Sequence, residues 1–155
     1  MDDEERLKIK IAELRSQPSL EETERLLNDT VGQITDAATG IVGTLRWEQV
    51  QVRNQGLCGH DYRDTGGLDV FLPHIRADRP VPEENWSQVL EAAREIARQA
   101  GITEMQIFSD VPGNREVRMY GENGNAITIG YRGATVISGR TGCRLPAADL
   151  AQPPS

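Results

Sequence analysis

Four short segments that alternate apolar and polar residues fill residues 104–138, and this run constrains the fold most strongly. Three turn sequences separate them, Pro112-Gly113-Asn114, Asn123-Gly124 and Arg132-Gly133. Asn-Gly is the preferred dipeptide of the tight turn that joins two antiparallel strands. The run therefore predicts an antiparallel meander of four strands.

Apolar residues recur at helical spacing in three other segments, residues 3–15, 20–40 and 82–100. Ser19 and Glu22 form a capping box at the start of the second segment. The third segment carries an unbroken apolar stripe, as expected for a helix that packs on a core. The sequence thus predicts three helices.

Residues 44–53 alternate like a half-buried strand, and residues 68–75 resume strand character. Pro73 cannot donate to a strand ladder, so the second of these is an edge strand or a broken one. Residues 54–67 between them lack any pattern and predict a long irregular loop. The element order ααββαββββ predicts an α+β two-layer sandwich, a mostly antiparallel sheet with helices packed on one face.

The length of 155 residues suits one domain. We expect an acidic N-terminal helix and linker over residues 1–18, the α+β domain over residues 19–146, and a disordered tail over residues 147–155. Residues 1–16 carry only a thin apolar stripe and are expected to be peripheral. The net charge of −7 argues against nucleic acid, or an anionic membrane surface, as the main partner.

The two cysteines, Cys58 and Cys143, each adjoin a glycine in a turn-like segment near the end of a predicted strand. Buried structural thiols more often lie inside apolar strands or helices. We therefore predict a disulfide between them, with two reduced thiols as the alternative. A disulfide implies an oxidising compartment, and hence an export signal removed from the chain.

Candidate metal ligands cluster around the loop, but their spacing matches neither a zinc nor a calcium motif, so no metal site is predicted. No nucleotide-binding or serine-nucleophile motif is present either, and no cofactor is expected. A cysteine in a disulfide has no thiolate with which to attack a substrate. The residues weighed as metal ligands are His60, Asp61, Asp64, Asp69 and His74.

A set of motifs follows a fixed order along the chain: the N-terminal helices, a strand with Trp47, Cys58-Gly59-x-Asp61, Gly66-Gly67, Pro82-x-x-x-Trp86, Tyr120-Gly121-x-x-Gly124 and Gly142-Cys143. Together these motifs resemble the LppA-like lipoproteins of mycobacteria and related actinobacteria, over about residues 19–146. The likeness rests on the order of elements and the placement of the cysteines.

The resemblance implies an exported protein that a lipid on an N-terminal cysteine tethers to the outer face of the plasma membrane. It implies no established biochemical activity. The acidic residues after Met1 are unlike a signal peptide, so the signal peptide and the lipid-bearing cysteine are expected to precede Met1. The membrane would then be contacted only through this lipid.

The function we expect is a non-enzymatic binding or accessory module of the cell envelope, whose partner is an envelope protein, a glycan or a small amphiphile. The alternatives are a hydrolase with its site in the loop and a carrier of small amphiphiles. We expect any binding surface to centre on residues 54–67, with His60, Tyr62 and Arg63 as contacts. The competing interpretation is that this loop only covers a sheet edge, with Tyr62 tucked beneath it.

Overall fold

The computed structural model describes residues 2–153; Met1, Pro154 and Ser155, at the ends of the two predicted terminal segments, lie outside the described residues. The helices are α1 (Asp3–Arg15), α2 (Leu20–Ile41), α3 (Glu83–Gln99) and α4 (Ala147–Leu150). The strands are β1 (Trp47–Gln49), β2 (Asn54–Leu57), β3 (Leu68–Phe71), β4 (Ile75–Ala77), β5 (Glu104–Val111), β6 (Asn114–Tyr120), β7 (Ala126–Arg132) and β8 (Ala134–Arg140).

All strand pairs are antiparallel, and the main path of the sheet runs β1-β4-β8-β7-β6-β5. Strands β5 to β8 form the meander that the turn sequences predicted. Asn123-Gly124 lies in a connection of residues 121–125, where Gly124 has a φ of +83°. Glycine adopts this left-handed conformation without steric cost, which is why the chain can reverse here.

Of the two strands predicted before α3, one is split and the other is shortened. Leu72, Pro73 and His74 separate β3 from β4, both of which pair with β8, because proline has no N–H to donate. The strand predicted over residues 44–53 forms only at Trp47–Gln49. The alternation of Val50 and Val52 did not reflect burial, since these side chains are 42% and 81% exposed.

Helices α2 and α3 pack against each other and cover one face of the sheet, so the predicted α+β fold class is confirmed. Ser19 caps α2 as expected, because its side chain accepts a hydrogen bond from the Glu22 amide at 3.1 Å. Trp86 of α3 meets the ring of Tyr131 edge-on at 5.4 Å between centroids. Fully buried core residues include Leu27, Ile34, Val89, Ala97, Ile127, Ile129 and Ile137.

The tail predicted to be disordered from residue 147 is instead helical over Ala147–Leu150. The Ala147 amide donates to the Glu21 carboxylate at 2.9 Å, which satisfies a free amide at the start of α4. Arg15 of α1 donates to the backbone oxygen of Gln152 at 2.7 Å. Polar contacts to backbone atoms hold this segment, and apolar periodicity gives no sign of them.

Across residues 2–153, every helix is too short or too polar to span a membrane.

Candidate functional site

The segment over residues 54–67 is more ordered than the predicted irregular loop. Asn54–Leu57 form β2, which pairs with β3, and His60–Tyr62 form one turn of 3₁₀ helix. The sequence of β2 has no apolar alternation, because this edge strand is held by its backbone ladder and by the adjacent Cys58 rather than by a buried face. The segment is therefore a built structure at the edge of the sheet.

Cys58 and Cys143 form a disulfide, with their Cα atoms 6.0 Å apart, as predicted. The Cys58 amide also donates to the Gly67 carbonyl at 3.1 Å. Beside Cys143, Arg144 exchanges backbone hydrogen bonds with Leu68, each 2.9 Å long. Residues 58–67, which we call the disulfide-held turn, are thus closed on themselves and fastened to the segment that follows β8.

A glycine is needed at position 67 for the disulfide-held turn to pack against Cys143 and α1. A Cβ atom there would overlap the Cys143 sulfur and lie 3.0 Å from the Cδ1 atom of Leu14 in α1. We expect Gly67→Ala to lower the free energy of unfolding by about 1 to 3 kcal/mol, as overpacking of a filled site does. Gly56→Ala is the matched control, since a Cβ at Gly56 meets no atom within 4 Å among residues 2–153. Urea denaturation compares the two, and equal stability of both variants would contradict the packing described here.

Two non-glycine residues of the disulfide-held turn have left-handed backbone conformations, His60 with φ 53° and Asp64 with φ 69°. Such conformations cost of order 1 kcal/mol each and persist only where the surroundings impose them. Arg63 donates through Nη1 to the His60 carbonyl at 3.0 Å, and the Thr65 hydroxyl donates to the Tyr62 carbonyl at 2.6 Å. The turn is held in one shape that leaves His60 and Arg63 exposed.

Helix α1 covers the third predicted contact residue, Tyr62, which is half-buried. The Tyr62 hydroxyl donates to the Glu13 carboxylate at 2.9 Å, and the Lys10 ammonium lies 5.2 Å from the ring centroid. The nearby Arg6 donates to the Asp61 carbonyl at 2.8 Å. Of the three predicted contacts, the structure leaves His60 and Arg63 open and places Tyr62 between the turn and α1.

The Tyr62–Glu13 hydrogen bond shifts the pKa of both side chains. It raises the pKa of Tyr62, with burial adding to the effect, and it lowers the pKa of Glu13, helped by Lys10. Because the folded-state pKa of Glu13 lies below its unfolded value, the contact adds stability above the unfolded pKa. This contribution is lost as the pH falls through the folded-state pKa.

Tyr62→Phe should raise the pKa of Glu13 toward the usual value of a glutamate side chain. An NMR titration of the side-chain carboxyl groups in the wild type and the variant measures this change. Glu95 is the internal control, since the pKa of its carboxyl is lowered by Arg98 in its own helix and should be the same in both proteins. An unchanged Glu13 midpoint would show that α1 does not dock on Tyr62 in solution.

Arg144 was not among the predicted site residues, yet it is only 4% exposed. Its Nη1 donates to the Cys143 carbonyl and its Nη2 to the Asn123 carbonyl, both at 2.7 Å, while its buried Nε has no hydrogen-bond partner within residues 2–153. Burial lowers the pKa of this guanidinium. Fifteen of the 17 basic residues are arginine, so composition could not single this one out.

A cavity of about 310 Å³ opens beside Arg144. Helix α1, the disulfide-held turn, the β6–β7 connection and the residues after β8 supply its walls. Its polar lining includes Glu13, Gln17, Tyr62, Glu122, Asn123 and Arg144. Several motifs that were separate in the sequence therefore meet around one small space.

Among the residues that the structure describes, no three His, Cys, Asp or Glu side chains converge as metal ligands would. Asp69, one of the residues weighed as a ligand, instead accepts from Arg140 at 2.8 Å.

The architecture defines a two-layer α+β domain closed by a disulfide. The chain belongs to the LppA family, described as "Lipoprotein confined to pathogenic Mycobacterium", whose family model matches residues 1–147. The resemblance noted from the motifs is thereby confirmed.

Two solved structures share the fold. The crystal structure of LppA from Mycobacterium tuberculosis is 15% identical, with a TM-score of 0.77, and the match covers 99% of this chain and 96% of that one. A DUF4853 family protein from Actinomyces odontolyticus is also 15% identical, with a TM-score of 0.62 and coverage of 88% and 72%. A comparison with curated protein sequences found no match.

Proposed function

We propose that this lipoprotein is held at the outer face of the plasma membrane by a lipid on a cysteine that precedes Met1. We also propose that its domain binds an envelope protein or glycan. Membership of a lipoprotein family supports the anchor. The disulfide supports the compartment, because such bonds persist where the surroundings are oxidising. Both cysteines of the sequence are in that bond, so neither is free to carry the lipid.

The observation that carries the binding role is the shape of the disulfide-held turn. Its backbone is held in left-handed conformations at His60 and Asp64, and such costly conformations cluster at functional sites. The turn exposes Arg63, a residue type that often supplies binding energy at interfaces. Because the turn is already ordered, a partner would bind it with little loss of conformational entropy.

The hydrolase alternative has less support, because two groups in this region that could attack a substrate, the Cys58 sulfur and the Tyr62 hydroxyl, are engaged. The Cys58 sulfur is in the disulfide and has no thiolate form. The Tyr62 hydroxyl donates to Glu13, and this bond raises its pKa, which makes the phenolate scarcer at neutral pH. We therefore propose binding without catalysis.

The double variant His60→Ala with Arg63→Ala should lose about tenfold or more in recovery of the partner from envelope extracts. Its melting temperature should fall only slightly, because the turn loses the Arg63 hydrogen bond and alanine tolerates the left-handed conformation at position 60 less well than histidine. Loss of about 1.4 kcal/mol of binding energy, within the range for one important interface residue, corresponds to a tenfold weaker affinity. Arg94→Ala, which removes an exposed arginine from α3, is the matched control and should retain the partner. Full recovery by the double variant would reject the turn as the binding surface, and a large fall in melting temperature with full recovery would show that it only covers the sheet edge.

A further inference from the structure

Arg144 is a buried charge whose neutralising partner is missing from the part of the chain described, residues 2–153. Its two hydrogen bonds go to the backbone carbonyls of Cys143 and Asn123, which are neutral acceptors. By contrast, Arg53, Arg115 and Arg140 each contact a carboxylate within 3 Å. Burying an ion without an opposite charge is unfavourable, so such a group in a native protein calls for an explanation.

The surrounding backbone is shaped to seat this guanidinium. A Cβ atom at Gly142 would overlap the Asn123 carbonyl and lie 2.8 Å from Nη1 of Arg144. At Gly124 a Cβ would lie 3.0 Å from the Cα of Gly142. Gly142 thus makes room for the guanidinium of Arg144, and Gly124 allows the β6–β7 connection to approach Gly142 closely.

The guanidinium retains donors for a ligand. Arginine has five N–H groups, and the two backbone bonds use two of them. The planar group suits a carboxylate or phosphate, which accepts two parallel hydrogen bonds. Arg144 lines the cavity of about 310 Å³, a volume at the lower end for small-molecule sites.

The same cavity also holds negative charge. Glu13 is offset by Lys10, whose ammonium lies 3.3 Å from its carboxylate. Glu122 lies in the cavity wall, is exposed, and has no ion pair among residues 2–153. The cavity therefore presents one buried cation and one free carboxylate, a pattern that suits a ligand with both an anionic and a cationic group.

We propose that this cavity binds a small zwitterion, whose oxyanion accepts hydrogen bonds from Arg144 and whose ammonium group faces Glu122. A free amino acid and a zwitterionic lipid headgroup share this chemistry. The site is separate from the exposed residues of the disulfide-held turn. Either proposal can fail while the other stands, because one is measured with small molecules and the other with an envelope partner.

NMR titration of the whole folded domain tests the proposal with four probes. They are free L-alanine, glycerophosphoethanolamine, acetate and methylamine. We expect saturable shifts at Asn123, Gly124, Gly142 and the Arg144 Nε signal with at least one of the two zwitterions, and the tighter of the two identifies the source. Acetate and methylamine should bind about tenfold more weakly, because each lacks one charged hydrogen bond. Absence of saturation with both zwitterions, or equally tight binding of acetate, would overturn the proposal.

Two variants distinguish ligand binding by Arg144 from a purely structural role of this residue. Glu122→Gln should weaken binding of the preferred zwitterion about tenfold and leave acetate unaffected, since it removes only the partner of the ammonium. Glu91→Gln, at an exposed position on α3, is the matched control and should change neither. Arg144→Lys should abolish the shifts with both zwitterions. If this variant does not fold, the Glu122→Gln result decides, and unchanged zwitterion affinity there would contradict the assigned orientation.

Discussion

Replacing both cysteines with serine, as Cys58→Ser with Cys143→Ser, should lower the free energy of unfolding by about 2 to 5 kcal/mol. The bond spans 85 residues of sequence, and the chain-entropy model gives about 4 to 5 kcal/mol for a loop of that size. It also fastens the disulfide-held turn to the residues after β8. Urea denaturation of the wild type and the double variant measures the loss.

Reductant provides the control for this prediction. The reduced wild type should become about as unstable as the double variant, while the double variant itself should not respond to reductant. Two thiols that alkylate freely in the native, unreduced protein would contradict the disulfide altogether.

Trp86→Ala should lower the free energy of unfolding by about 3 to 5 kcal/mol, an effect as large as that of losing the disulfide. Trp86 is 5% exposed and packs edge-on against Tyr131 in the contact between α3 and the sheet. Alanine preserves the helix, so the loss reports packing rather than helix formation. Urea denaturation again supplies the measurement.

Leu14→Ala measures how much the docking of α1 contributes to the free energy of unfolding. Leu14 is 2% exposed but lies outside the main core cluster, against the disulfide-held turn and Gly67. We expect a cost of about 2 kcal/mol, at the low end for a buried leucine. A cost as large as that of Trp86→Ala would mean that α1 belongs to the central core, and no cost would mean that it does not dock.

The elements that could be predicted from sequence are those in which local chemistry and burial agree. The α3 stripe is apolar because it is buried, the Asn123-Gly124 turn needs a left-handed glycine, and Pro73 interrupts a ladder because it has no N–H. The disulfide was likewise predicted, from the glycines that adjoin Cys58 and Cys143 in the sequence. In each case the signal lies in the residue type itself.

The features that escaped prediction depend on contacts between distant polar groups. Strand β2 is held by its ladder to β3, and α4 is held by Glu21 and Arg15, without any apolar pattern of their own. Arg144 is buried where the β6–β7 connection, the start of β3 and the residues after β8 meet, and these segments lie far apart in sequence. Tyr62 was expected either as an interface contact or beneath the loop, and nothing in the sequence of α1 indicated that its hydroxyl would bond to Glu13.

The most direct test of the binding role is photocrosslinking in intact cells that make the lipoprotein. A photoreactive amino acid would replace either Asp61, an exposed residue near Arg63 in the disulfide-held turn, or Arg94 on α3. We expect position 61 to form one discrete crosslink with an envelope component, and we expect this crosslink to disappear when Cys58 and Cys143 are both serine. Position 94 should form none. No crosslink from position 61, or the same crosslink from both positions, would contradict the assignment of the turn as the binding surface.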